Sequence, residues 1–564
     1  MTRADNGDQW WLTAIGYCLD VERFFDDDGD GHGDLSGLAE RMDHLVRLGV
    51  TVIWLQPFYP SPENDDGYDV SDYYDVESDV GNLGHFVELV RVARERGIRV
   101  IVDLVVNHTS AEHAWFQDSR SDPDSRYRDW YIWRDEPNPA DAGVDVIFPD
   151  QESSLWAYDD TAGQYYRHSF YRHQPDLNNG NPQVRNELLR IMGFWLQLGV
   201  AGFRVDAVPY AVENARRAQI RARRARHEGE AELTEPLHLL DAMRTFLARR
   251  SPEAVMLGEV NLPYSDLAEF VGGLGDRLTL VFDFVLNQQM WLALARRNVG
   301  PIVTTLRARP ELAHGKQWGL FARNHDELTL DQLTDAERDE VFAAFGPEPE
   351  HQIFGRGLRR RVPSMLGGDR RRVEMVYSLV FSLPGTPVVY YGEEIGMGEN
   401  LDIPGRLAVR TPMQWDDTDD GGFSAGRGAC EISTVPSGDY APAQVNVADQ
   451  MKDPTSLLAF FRRMADRYRS APELGRGEIT VLDQPYEDVL AHVMQWENRT
   501  TVAIHNVGAE QRGVDLHVPG LTGGERLWDL FAETTQTAGP GGTVRVDLPG
   551  FGYCWLRISP AEPF

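Results

Sequence analysis

The 564-residue sequence predicts an α/β protein: a (β/α)8 TIM barrel with an inserted domain after its third strand and a C-terminal antiparallel β-sandwich domain. Three observations lead there. Short continuous apolar runs alternate with amphipathic segments roughly eight times, and strands apolar on both faces belong to parallel sheets covered by helices. The alternation fails after the third such repeat, in a stretch rich in Asp, Tyr, Trp and Pro. Beyond about residue 475 the pattern changes to short strands separated by turns, as in an antiparallel β domain.

Taken in order, the N-terminal MTRADNGDQWW is polar and acidic and has no apolar core of the kind a secretion signal carries. Leu38, Met42, Leu45 and Leu48 recur at helical spacing, and residues 51–55 (TVIWL) follow as a buried strand. Residues 86–95 read as a helix and 99–106 (RVIVDLVV) as the next strand. Residues 109–180 form the inserted domain, and 1–108 with 181–474 form the barrel. Further strands are expected at 202–205, 254–257, 278–282, 318–321 and 387–391. Residues 331–372, containing LRRRVPSMLGGDRRR, are expected to be a helical lid, since long insertions in a compact domain are usually functional. Residues 475–564 make the C-terminal domain, with strands at 478–482, 489–496, 501–506, 543–548 and 554–558.

Composition narrows the partners. A net charge of −33 repels nucleic acid and anionic membrane and leaves a neutral or cationic small molecule as ligand. The longest apolar run, 375–391, is interrupted by Ser382, Pro384 and Pro387 and is a poor bilayer span. Cys18, Cys430 and Cys554 are scattered and odd in number, which speaks against a disulfide framework and for a reducing cytoplasm. A homo-oligomer is compatible with all of this.

In such a barrel the chemistry sits at the carboxyl ends of the strands. Four stretches put polar residues directly after an apolar run: DLVVNHTS (103–110), GFRVDAVPY (202–210), MLGEVN (256–261) and FARNHDE (321–327). In the second, Arg204 and Asp206 share one face of a strand, so the guanidinium favours the ionised carboxylate. That describes a nucleophile, and equally a structural ion pair capping the strand. Separately, DDDGDGHGD (26–34) places Asp26, Asp28, Asp30 and Asp34 on even positions among glycines. Hard oxygen donors at such spacing suit Ca²⁺, although acids on a turn are also commonly just solvated.

In this order, and with the inserted domain, the four stretches resemble the signature regions of the α-amylase superfamily of retaining glycosidases, glycoside hydrolase family 13. More narrowly, DDGYDVSDY (65–73), HQPDLN (173–178), DAVPY, RNHDELTL (323–330), LPGTPVVYYGEEIGMG (383–398) and RTPMQW (410–415) resemble the trehalose synthase branch, which transfers glucosyl units between maltose and trehalose. The resemblance implies Asp206 as nucleophile, Glu259 as acid and base, and Asp326 as the ligand of the distorted sugar's hydroxyls. It implies His108 and His325 as further hydroxyl ligands and Tyr68 as a stacking platform. Asp66 and Arg406 would grip the non-reducing end, Phe170 and Gln174 would line the pocket, and Arg204 would keep Asp206 charged. A Ca²⁺ would sit in the 26–34 loop with His32 giving its backbone carbonyl, and a second between Asn107 and Asp176; no organic cofactor is implied.

The sequence departs from that branch in three places: GEVNLPY (258–264) stands for AEANQWP, Leu407 and Ala408 for an Asp-Gly pair, and GYCLD (16–20) for the usual start. They bear on the leaving-group side, so an α-glucosidase hydrolysing or transglycosylating small α-glucosides is the alternative. A catalytically silent relative is disfavoured because all three carboxylates are present.

Overall fold

The structure, a computed structural model, describes residues 9–141, 143–213, 238–271, 277–426 and 436–558; Cys430 and the first eight residues lie outside that range. Eight parallel strands close into a barrel, each hydrogen-bonded to the next in sequence and the last to the first. They are β1 (Gly16–Leu19), β2 (Val52–Leu55), β3 (Arg99–Val105), β4 (Gly202–Asp206), β5 (Val255–Gly258), β6 (Leu280–Phe282), β7 (Gln317–Leu320) and β8 (Thr386–Tyr390). Seven coincide with the apolar runs; β1, GYCL, was not among the expected strands. All but one of the residues in these eight strands are buried, as a helix-covered parallel sheet requires. The register sets Asp103 of β3 beside Arg204 of β4, and Arg204 beside Leu257 of β5.

The helix expected around residues 38–48 is two, Leu35–Glu40 and Met42–Leu48, because Arg41 takes a non-helical ψ of 1° between them. Asp34 opens the first by accepting from the Gly37 N–H. Residues 331–372 are not purely helical. Helix Asp335–Phe345, closed at its start by a Thr334/Glu337 capping box, leads into a small hairpin, Gln352–Ile353 with Gly357–Leu358. Its tip, Phe354–Gly355, has φ of 56° and 66°.

Within 109–180 lies a three-stranded sheet, Trp133–Arg134, Gln164–Arg167 and Trp156–Asp159. The C-terminal region is an antiparallel β domain. Six strands order as Glu478–Val481, Val489–Trp496, Arg499–Asn506, Tyr553–Ile558, Arg526–Asp529 and Thr535–Thr537. The pair Arg512–His517 and Thr543–Leu548 packs over one face through Val514, Leu516, Val544 and Val546. Strands 512–517, 526–529 and 535–537 were not foreseen. Among the described residues no helix is long and apolar enough to cross a membrane, and Cys18 and Cys554 are free and buried.

Candidate active site

Strand ends bring the polar residues together. Asp206 is the last residue of β4, Glu259 follows β5 directly, and Asp326 lies in the loop after β7. Arg204, 1% exposed, organises the first two. Its Nη1 donates to Asp206 Oδ1 at 2.6 Å and to Asp103 Oδ1 at 2.6 Å, and its Nη2 lies 2.9 Å from Glu259 Oε2. Asp103 also accepts from Trp54 Nε1 at 2.6 Å and Tyr68 Oη at 3.3 Å. Glu259 Oε2 accepts from the backbone N–H of Ala207 at 3.1 Å. Ala207 has φ of 46°, a conformation unfavourable for alanine that aims this N–H at the acid.

Burial sets the protonation of the site. It pushes Glu259 up to about 7, aided by Asp206 and Asp326 and opposed by Arg204. Burial likewise pushes Asp206 up to about 7, with Asp103 and Asp326 adding to it against the pull of Arg204. Arg204 alone therefore does not hold Asp206 in the ordinary carboxylate range. The two carboxyls share one guanidinium and titrate as a pair.

A second set closes the pocket beyond them. Asp326 Oδ1 accepts from Arg406 Nη1 at 2.6 Å and Arg410 Nη2 at 3.1 Å, and its Oδ2 lies 3.2 Å from His325 Nε2. Although burial opposes it, these three neighbours hold Asp326 well below the usual carboxylate range. Burial pushes His325 well down, so it meets Asp326 as a neutral N–H donor and the arginines supply the charge. Tyr68 stacks on His325, with ring centroids 5.5 Å apart and planes 5° from parallel.

Arg406 does not pair with Asp66. Its Nη2 donates to Asp65 Oδ1, whose Oδ2 accepts from Gln174 Nε2 at 2.9 Å. Asp66 is held instead by Arg410 Nη1 at 2.5 Å and approached by Arg23 Nη2 at 3.6 Å. The adjacent acids point to different partners because Asp66 has φ of 51° and turns the chain between them. His108 is buried with Nε2 3.2 Å from the Tyr68 carbonyl, and Phe170 packs between His108 and Tyr210 at 5.3 and 5.0 Å. A cleft of about 790 Å³ is lined by Asp65, Asp66, Arg406 and Arg410, among others.

The loop at 26–34 gathers three of its acids. Oxygens of Asp26, Asp28 and Asp34 lie within 4.8 Å of one another, whereas Asp30 is exposed and accepts from the His32 N–H. Asp26 is fully buried, and its carboxylate accepts only from the backbone N–H groups of Gly29 and Gly31 among the described residues. A buried carboxylate without a counter-cation suits a bound Ca²⁺. The second pair differs. Asn107 Nδ2 donates to Asp176 Oδ1 at 3.0 Å, but Arg167 Nε lies 3.1 Å from Asp176 Oδ2 and Ser169 donates to both oxygens. At this second position a guanidinium lies against the carboxylate that the resemblance offers to a second Ca²⁺.

Asp103, Asp65 and Arg410 were missed as site residues. Asp103 opens the DLVVNHTS stretch and Arg410 the RTPMQW stretch, so both were visible as part of a motif, but their partners were not.

Residues 21–341 and 355–477 match the alpha-amylase catalytic domain family, and 499–557 match the sucrose hydrolase-like C-terminal domain. A trehalose synthase of Thermus thermophilus is 40% identical over 98% of the chain, which spans 56% of that relative's length. A trehalose synthase/amylase of Mycolicibacterium smegmatis is 41% identical over 98% of the chain and 93% of its own length. The crystal structure of a trehalulose synthase superposes with a TM-score of 0.75 at 26% identity, covering 98% of this chain and all of that one. The chain belongs to the α-amylase family of glycoside hydrolases.

Proposed function

We propose that the chain is a retaining α-glucosyl-transferring enzyme that interconverts maltose and trehalose, with side hydrolysis to glucose. The observation that carries this is the pair of carboxyls on one guanidinium, Asp206 on Nη1 and Glu259 on Nη2 of Arg204. Retention needs carboxyls ~5–5.5 Å apart, against ~6.5–9.5 Å when a water must fit between them. Asp206 attacks the anomeric carbon while Glu259 gives its proton to the leaving glycosidic oxygen. The glucosyl unit is then bound to Asp206, and glucose is free in the pocket. Released from maltose, glucose turns, Glu259 takes the proton of its anomeric hydroxyl, and that oxygen displaces Asp206 to form trehalose; released from trehalose, glucose attacks through its 4-hydroxyl instead and forms maltose. Water in place of glucose gives hydrolysis.

Asp326 and His325 hold hydroxyls of the distorted ring, Tyr68 stacks beneath it, and His108, Phe170 and Gln174 complete the wall. Asp65 and Arg406 stop the pocket after one glucose. A Ca²⁺ held by Asp26, Asp28 and Asp34 would fix the loop that runs into helix Leu35–Glu40; it takes no part in the reaction. The divisions 1–108 with 181–474, 109–180 and 475–564 remain our domain assignment, and the free cysteines fit a reducing cytoplasm.

The α-glucosidase reading is favoured by one feature, Leu407, which is 36% exposed and lines the 790 Å³ cleft. Incubation with maltose decides: trehalose among the products supports isomerisation, glucose alone supports hydrolysis, and unchanged maltose with folded protein overturns both.

A further inference from the structure

We propose that Arg323 is a positioning residue for Asp326: its guanidinium holds the main chain at Asp326, so that the carboxylate keeps the place from which it grips the sugar. Arg323 lies three residues before Asp326 in the loop that follows β7, and it is 2% exposed. Its Nη2 donates to the Asp326 carbonyl, and its Nη1 donates to the carbonyls of Arg360 and, at 3.5 Å, Leu358. Leu358 in turn pairs with Leu328, two residues beyond Asp326. One side chain thus ties the loop to the hairpin strand at its far end.

Other carbonyls of this segment are also met by side chains from elsewhere, as irregular buried backbone requires. Asn287 Nδ2 donates to Phe321 at 2.7 Å and Ala322 at 3.1 Å, Trp291 Nε1 to Ala322 at 3.0 Å, and Arg410 Nε to His325 at 3.0 Å. Arg323 is the costly member of the set. Arg204, Arg406 and Arg410 each face a carboxylate, whereas every hydrogen bond that Arg323 donates among the described residues goes to a main-chain carbonyl, and its Nε has no partner there. Burial pushes its guanidinium down to about 10, against the pull of Glu393. A guanidinium buried without a carboxylate in contact costs more than an amide or indole making the same bonds. What it supplies is geometry: two nitrogens fixed in one plane span carbonyls on both the loop and the hairpin, which an ammonium cannot do.

Arg406, Arg410 and His325 orient the Asp326 carboxylate, and the Arg323 bond to the carbonyl of the same residue sets where its Cα stands. A misplacement of about 1 Å in such a group costs on the order of 100-fold in rate.

This role rests on Asp326 being the sugar's ligand, which Asp326→Asn tests by itself. The wild type, Arg323→Gln, Arg323→Lys, Asp326→Asn and the double variant of Arg323→Gln with Asp326→Asn are melted and assayed with p-nitrophenyl α-glucoside. Arg323→Gln is expected to fold, to lower kcat at least about 30-fold and to change KM less than about threefold. Arg323→Lys, which keeps the charge but not the two-nitrogen span, should lose nearly as much. In the Asp326→Asn background Arg323→Gln should cost less than about threefold more, because a residue that acts through Asp326 has nothing left to place. Full kcat in Arg323→Gln beside an impaired Asp326→Asn overturns the positioning role alone, as do equal losses in the two backgrounds or failure of both Arg323 variants to fold. Full turnover in Asp326→Asn overturns the role of Asp326 and that of Arg323 with it.

Discussion

Arg406 pairs with Asp65, and in the same geometry its Nη1 donates to Asp326 at 2.6 Å. The wall of the pocket and the carboxylate proposed to hold the sugar are thus one hydrogen-bonded unit. Removing one partner of a buried ion pair costs ~3–5 kcal/mol, with the lower end expected here because Asp326 still faces Arg406. Asp65→Asn should therefore lower kcat/KM for small α-glucosides by at least ~100-fold, chiefly through KM. Asp66→Asn disturbs Arg410 and Arg23 instead and should lower Tm more than it raises KM. Steady-state kinetics and melting curves of the two variants compare them directly. Equal kinetic losses would mean that the wall does not act through Arg406.

Asp206 and Glu259 are both pushed up to about 7 by burial, so the rate should follow a bell with both limbs near neutrality. Below the bell Asp206 gains a proton and cannot attack; above it Glu259 has lost the proton it must give. Arg204 pulls both values down, hence Arg204→Met should raise the acidic limb. A flat profile from pH 5 to 9 would refute the assignment.

Glu259→Gln separates the acid's role from the nucleophile's. An aryl leaving group needs little protonation, so this variant should keep measurable release of p-nitrophenol while losing nearly all turnover of maltose. Asp206→Ala should lose both. The folded value of Glu259 is raised above its unfolded one, so its favourable contribution to folding is present below about pH 4 and lost as pH rises through about 7. Glu259→Gln should accordingly raise Tm more at pH 8 than at pH 5, in melts buffered at each value.

How far this was legible varied with the physics. Strands β2 to β8 are apolar on both faces and stand out as runs, whereas β1 is four residues containing glycine and cysteine and has no such contrast. Strands 512–517 and 526–529, RGVDLH and RLWD, are short and carry charged residues at their ends or middle, so no apolar pattern marks them. The stretches carrying Asp206, Glu259 and Asp326 could be found because each adjoins an apolar strand in a barrel whose rule puts chemistry at that end, while the residues' roles rested on the resemblance to the α-amylase superfamily. The choice between Asp65 and Asp66 could not be made, because it depends on a backbone turn at Asp66 that no spacing encodes. Arg167 reaches Asp176 from the end of strand Gln164–Arg167, outside HQPDLN, so nothing within that motif announces it.

The 26–34 loop gives a prediction with a direction. If Ca²⁺ binds Asp26, Asp28 and Asp34 only in the folded chain, it stabilises by mass action, about 2.7 kcal/mol at a hundred times Kd. EDTA should then lower Tm, and added Ca²⁺ should restore it where Mg²⁺, which resists dehydration, does not. Asp26→Asn should melt at the EDTA value with or without chelator. An Asp30→Asn variant should still respond, because Asp30 points to solvent and caps only the His32 N–H.

The C-terminal domain meets the barrel through two fully buried histidines. His492 Nε2 lies 2.9 Å from the Ser382 carbonyl and His505 Nε2 2.8 Å from Ser378 Oγ, both on helix Arg370–Ser382, with the rings 6.1 Å apart and 7° from parallel. Both Nδ1 atoms are buried and have no partner among the described residues, so a proton added there would be a buried charge without a counter-group. Burial pushes His492 down to about 4 and His505 well below its ordinary value. The sign follows: unfolded imidazoles take up protons below about 6.5 while the folded ones resist, His492 until about 4, so stability is full above 6.5 and falls as pH drops below it. Chemical denaturation should show the midpoint falling over this window, and His492→Phe, which cannot bind the proton, should flatten the slope. Unchanged steepness in that variant would assign the acid sensitivity to the carboxylates instead.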